Sequence, residues 1–225
     1  MATPTESFVL NHAVPIIYTD TLIKPKGFKG SDGATGKPQY GCTALIPPSH
    51  PQLAAIQALI LKAVTEKWPG RDPNTVKLPM KHGDKLNAER VARAKKPIDF
   101  YAGVYVLGVG KPEQDIKGTI LAPPSLSVMQ GGQWKNYSDQ REIAKPFFYN
   151  GVEALMELQF VAYDLQGGLV KCYLRRAASF NIGTPIPIGR SDDEVWGSAD
   201  SYSEYVGRVT AETVMPPQAG AASPW

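Results

Sequence analysis

Histidine and cysteine are scarce in this chain, and their scarcity removes most catalytic and metal chemistry at once. Its 225 residues hold three histidines, His12, His50 and His82, and two cysteines, Cys42 and Cys172. None of the histidines stands at metal-ligand spacing from a cysteine or carboxylate. The cysteines lie far apart in strand-like runs. They read as two buried free thiols, and the sequence leaves a disulfide open. The phosphate-loop pattern GxxxxGK(S/T), the GxSxG elbow and HExxH are all missing. Gly108-Val109-Gly110 follows a strand-like run but leads into Lys111-Pro112 rather than a glycine-led helix, so no dinucleotide site is expected there. No run of about 18 apolar residues exists to cross a membrane as a helix. The first nine residues lack the basic segment and apolar stretch of a secretory signal. No internal repeat is found. The expectation is a binding protein, not an enzyme, with no cofactor, metal site or membrane partner.

Proline and glycine are plentiful instead. Twenty prolines and 21 glycines are too many for a helical bundle and fit strands joined by loops, while 43% hydrophobic residues suffice for a core. Residues 7–23 read as a strand bent near Pro15, and 39–46 as a second strand. One helix is clear. Ser49 and Gln52 form an S-x-x-Q capping box, Pro51 sits in the first turn, and Leu53, Ile56, Leu59, Ile60 and Val64 follow at helical spacing. Trp68-Pro69-Gly70 ends it. Residues 69–97 read as an insertion whose segment 81–96 is helix-permissive and carries net charge +4. Residues 98–109 alternate as a strand, with Tyr101 and Tyr105 on one face and Gly103 between them. A short strand at 125–129 precedes an aromatic and basic loop at 133–151. The last hairpin is strong: Val152, Ala154, Met156, Leu158, Phe160 and Ala162 face inward, residues 164–168 turn, and Val170, Cys172 and Leu174 return inward.

Charge is divided unevenly. Residues 191–225 hold six acids, among them Asp192, Asp193, Glu194, Asp200 and Glu204, and one base, Arg208, for a net of −5. The whole chain is +3, so the first 190 residues carry +8. A basic body with an acidic tail suggests a body that holds a polyanion and a tail that competes for the same surface.

Aromatic residues interleave with bases on the outward faces. Single-stranded nucleic acid needs cations for its phosphates and flat apolar partners for its bases, and stacking one base on a ring contributes roughly 1–3 kcal/mol whatever the sequence. Tyr101 and Tyr105 offer one platform. Lys171, Tyr173 and Arg175 form a cation-aromatic-cation stripe. Trp134, Lys135, Tyr137, Arg141 and Lys145 add more of both in the loop, and Tyr40 follows the lysines Lys24, Lys26 and Lys29. Each feature also has a plainer reading: the tyrosines as cover for a second core, the stripe as a solvated face, the loop aromatics as anchors.

Taken together, Phe100-Tyr101-Ala102-Gly103-Val104-Tyr105-Val106, the approach Phe148-Tyr149-Asn150-Gly151, and the hairpin pieces Phe160–Asp164 and Gly167–Val170 resemble the phage-encoded single-stranded DNA-binding proteins with an OB fold. The resemblance spans about residues 7–185. It implies a mainly β fold with one clear helix: a five-stranded OB barrel with long loops over residues 1–187, then a flexible acidic tail over 188–225. It implies coating of single-stranded DNA without sequence preference in phage replication, recombination or repair, in the cytoplasm of the infected host. Bases at 24–37, 135–145 and 171–176 would neutralise phosphates. Tyr40, Tyr101, Tyr105, Trp134, Tyr137 and Tyr173 would stack bases. The tail would shield the groove or recruit replication and recombination proteins, and a homodimer is open. The competing expectation is a β-rich virion or assembly protein whose aromatics anchor other proteins.

Overall fold

The computed structural model describes residues 5–27, 36–115, 117–165 and 167–188. The chain divides into a unit Met1–Ile186 and a second, Pro187–Trp225, of which only the first two residues are described. Lys29 and the acids Asp192, Asp193, Glu194, Asp200 and Glu204 lie outside the described residues. No helix among those described is long and apolar enough to cross a membrane.

The first unit is mainly β. Its strands are β1 (Phe8–Ile17), β2 (Gln39–Ile46), β3 (Met80–His82), β4 (Tyr105–Pro112), β5 (Ser125–Gln130), β6 (Gln133–Asn136), β7 (Val152–Tyr163) and β8 (Leu169–Ser179). The helices are α1 (Asp20–Ile23), α2 (Leu53–Lys67), α3 (Gly83–Val91) and α4 (Arg141–Ala144). Five strands close a ring: β1 pairs β2, β2 pairs β4, β4 meets β8, β8 pairs β7, and β7 returns to β1. All these pairings are antiparallel except β4 with β8, which is parallel and centred on Gly110 opposite Tyr173. β3 extends the ring beside β4, and β5 with β6 extends it beside β8.

Strict alternation makes the β7–β8 hairpin. The six expected inward residues of β7 are each at most 1% exposed, and Val170, Cys172 and Leu174 face them from β8. The ladder slips once, where Glu157 pairs Arg176 and Leu158 pairs Leu174. Arg175 is the extra residue of this bulge. Arg175 and Arg176 therefore both stand outside, sharing the Glu157 carboxylate at 3.7 and 3.0 Å, and Ala177 returns to the core.

The helix expected after residue 49 is α2, and its buried residues Ile56, Ile60 and Val64 belong to the expected face. It packs on β7 and β8. The capping box does not form. The His50 ring Nδ1 accepts from the Gln52 backbone N–H at 3.2 Å, which leaves its Nε2 as donor to the His12 carbonyl at 3.3 Å. The Gln52 side chain reaches β1 instead. Its Oε1 accepts from the N–H groups of Asn11 and His12, and its Nε2 donates to the Val9 carbonyl. These groups flank the register shift of β1 between Leu10 and Val14, which lies before Pro15 rather than at it. A bulge strands backbone groups, and one amide side chain satisfies three of them. Gln52→Ala should lower stability by about 1–2 kcal/mol, read as a lower urea midpoint at an unchanged m-value, with Gln52→Glu intermediate because it keeps the acceptor.

Two further expectations change. β1 stops at Ile17, and α1 follows, so residues 18–23 are not strand. Nor is 98–104: residues 99–101 form a 3-10 turn and β4 begins at Tyr105. Gly103 has φ +70, a conformation that interrupts an extended strand, and its N–H donates to the Asp84 carboxylate at 3.0 Å.

Candidate nucleic-acid interface

One groove follows from the period of two along β2, β4 and β8. Cys42, Val109, Cys172 and Leu174 point into the core. Their neighbours Gly41, Thr43, Gly108, Gly110, Lys171 and Tyr173 therefore line the outer face, where they bound a cavity of about 460 Å³. Glycine makes its floor. Gly41 lies opposite Gly110, which lies opposite Tyr173. A Cβ on Gly41 would collide with the Val109 carbonyl oxygen, so the close approach of β2 and β4 demands glycine there. Gly108 is different. A Cβ there would meet nothing nearer than the Pro79 carbonyl oxygen, at 3.9 Å.

The walls carry cations and rings. Lys171 and Tyr173 rise from β8, Lys77 from the segment before β3, and Tyr18 from the end of β1. Tyr173 is half-buried, its hydroxyl 2.7 Å from that of Tyr163. Burial, then the Tyr163 hydroxyl, push its phenol well above the usual range, so the ring is neutral at physiological pH. Tyr18 has φ +57, which costs a side chain with a Cβ about 1–2 kcal/mol. Its carbonyl accepts from the N–H and hydroxyl of Thr21, and the next N–H donates to Asn150, so the surroundings hold the ring at the rim. Cys42 is pushed up to about 12 by burial, and Cys172 rises for the same reason. Both thiols are free and unreactive as nucleophiles.

A second basic group sits at the Tyr40 end of the β2–β4 ladder, where Tyr40 lies opposite Lys111. The Lys111 ammonium is held below the ordinary lysine range by burial first, then by the charges of Arg175 and Arg141. An anion placed among them would relieve that repulsion.

The expected site residues divide between these places and elsewhere. Lys171 and Tyr173 wall the groove, with Arg175 further along the same strand. Tyr40 lies under the Arg141 guanidinium at 4.9 Å. Arg141 itself donates to the carbonyls of Leu22 and Pro124, a structural use of its fork. Tyr137 packs on Phe147 and donates to Gln130. Tyr105 packs edge-on against His82, 4.9 Å away, and does not share a face with Tyr101, which lines a separate cavity beside α3. Trp134 is 45% exposed on β6 and leans on Phe180. Trp134, Lys135 and Lys145 lie outside both cavities. Lys24 and Lys26 are exposed, Lys26 at 3.8 Å from Asp20.

Sequence reasoning missed the floor, Tyr18 and Lys77. The glycines were visible as GxG at 108–110 and as Gly41 inside a strand, where an interior glycine signals close backbone approach. Among the described residues no group of three or more His, Cys, Asp or Glu could hold a metal ion.

No protein-family profile matches the chain, and no curated protein does. Solved structures do. The single-stranded DNA-binding protein of bacteriophage Enc34 in complex with single-stranded DNA is 19% identical, with a TM-score of 0.55 over 80% of this chain and 89% of that one. A C-terminal truncation of the same phage protein is 21% identical, with a TM-score of 0.54 over 80% and 88%. A further structure of the single-stranded DNA-binding protein from bacteriophage Enc34 is 19% identical, with a TM-score of 0.53 over 90% and 99%. The likeness is one of fold.

Proposed function

We propose that this chain binds single-stranded DNA, without sequence preference, in the glycine-floored groove of β2, β4 and β8, and that its five-strand ring is an OB-type barrel. One observation carries the reading: a groove whose floor is built largely of glycine, walled by Tyr18 and Tyr173 and by Lys77 and Lys171. Bare backbone lets a base lie close, the rings stack it, and the ammonium groups take the phosphates. The shared fold with a phage protein solved on single-stranded DNA supports it. Lys111 extends the basic track, and Tyr40, Trp134, Lys135 and Lys145 are proposed as outlying contacts.

The biological setting that fits is coating of exposed strands during phage replication, recombination or repair. The acidic residues 191–225 would compete with DNA for the basic body or recruit protein partners. Anisotropy titration of labelled poly-dT, with a duplex control, tests both parts, using the full chain and a version ending at Gly189. The expected result is preferential single-strand binding that tightens on truncation. Unchanged affinity after truncation would sink the shielding role. Absence of binding by both would overturn the DNA reading and bring forward a protein-binding role in the virion.

A further inference from the structure

The basic insertion ends in a built cavity. About 260 Å³ in volume, it lies between α3 and the turn at 99–101, and Tyr18 lines it as well as the groove. Small-molecule sites run to about 300–1,000 Å³, so this one suits a single nucleotide unit rather than a run. Leu86 and Ile98 give it an apolar lining. The Tyr101 phenol is raised by burial first, then by the charge and hydrogen bond of Tyr18, so the two hydroxyls lie together in its wall.

Its walls are fixed. The Asn87 side chain bonds both the N–H and the carbonyl of Ile98, at 2.8 and 2.9 Å. The chain reverses at Ala94, φ +54, and the Lys95 N–H returns to the Arg90 carbonyl at 3.0 Å. Arg90 donates through Nε to the Lys96 carbonyl. The rim is cationic, with Arg90, Arg93 and Lys95. The one carboxylate on the described wall, Glu89, is already held by Lys81 at 3.0 and 3.1 Å, and that bond, more than the further charges of Arg93 and Lys85, keeps it ionised.

We propose that this α3 cavity is a second nucleotide site on the path of the same strand. The strand leaves the groove past Tyr18, sets one base against Tyr18 and Tyr101, and places one flanking phosphate on Arg93 and the other on Lys95. The insertion thereby lengthens the footprint beyond the barrel. This rests on the single-strand reading of the groove.

The test is a double variant, Arg93→Ala with Lys95→Ala, at two exposed positions. It is titrated with dT oligonucleotides of about five and about twenty nucleotides, one near the lower end of the roughly 4–16 covered by one OB fold and one beyond its upper end. Binding of the short strand should be unchanged. Affinity for the long strand should fall about tenfold, with a salt slope shallower by about 1.4, from roughly 0.7 per phosphate, and Arg93→Lys with Lys95→Arg should restore both. An equal loss at both lengths, or none at either, overturns the second site while the groove stands. Failure of the unaltered protein to bind either strand overturns the single-strand reading and this site with it.

Discussion

Gly108→Val should weaken single-stranded DNA binding by about thirtyfold while leaving the fold as stable as before. The affinity figure follows from blocking one stacked base, worth roughly 1–3 kcal/mol, at 1.4 kcal/mol per factor of ten. The stability expectation follows from geometry. Gly108 is exposed, its N–H already donates to the Pro79 carbonyl at 3.0 Å, and a Cβ would stand in ordinary contact at 3.9 Å. Valine also suits an extended strand better than glycine does. Its branched side chain would rise from the groove floor, in the cavity that Lys77 and Lys171 also line. Gly41→Val is the contrasting control. There the new side chain would collide with β4 backbone, so folding and binding should fail together. Urea melts alongside anisotropy separate the two cases. If Gly108→Val kept full affinity, DNA would not lie on this floor.

That contrast shows what a sequence can reveal of a site. The β7–β8 hairpin was legible because one of its faces is entirely core, so alternation in sequence is alternation in space. α2 was legible from five apolar residues at helical spacing. The run from Phe100 to Val106 alternates as cleanly and is not one strand. Its interruption depends on Asp84, nineteen residues away, capturing the Gly103 N–H. Arg141 looked like a phosphate ligand among aromatics, yet three of its five N–H donors go to the Leu22 and Pro124 carbonyls. Leu22 is 119 residues distant in the chain, and no local pattern records that contact. The groove floor was hidden for a related reason. Gly41, Gly108 and Gly110 become one surface only when β2 pairs with β4 and β4 with β8. Each glycine alone reads as a weak spot in a strand. Charge was the most legible property, because it depends on composition and not on pairing.

Charge also sets the largest expected effect, the response to salt. Five cations are positioned to meet phosphates: Lys77 and Lys171 on the groove walls, Lys111 at the Tyr40 end, and Arg93 and Lys95 beyond Tyr18. Arg141 is discounted because carbonyls hold it, Arg175 because Glu157 stands 3.7 Å away, and the outlying Lys135 and Lys145 because they lie outside both cavities. About five neutralised phosphates give a slope of log K on log salt near −3.5, so affinity should fall roughly a hundredfold between about 50 and 200 mM salt. A flat response would remove the electrostatic part of the interface. A slope near −5 would bring Arg141 and Arg175 back as ligands, from roughly 0.7 per phosphate. Lys111 adds a second handle. Its pKa is depressed in the free protein, and a phosphate would raise it, so binding takes up a proton at alkaline pH. Its contribution is fully present below the free-state pKa and is lost as pH rises through the bound-state value. The full chain should therefore lose the Lys111 share of its affinity as pH climbs through that alkaline window, and Lys111→Arg, which stays charged throughout, should flatten the decline.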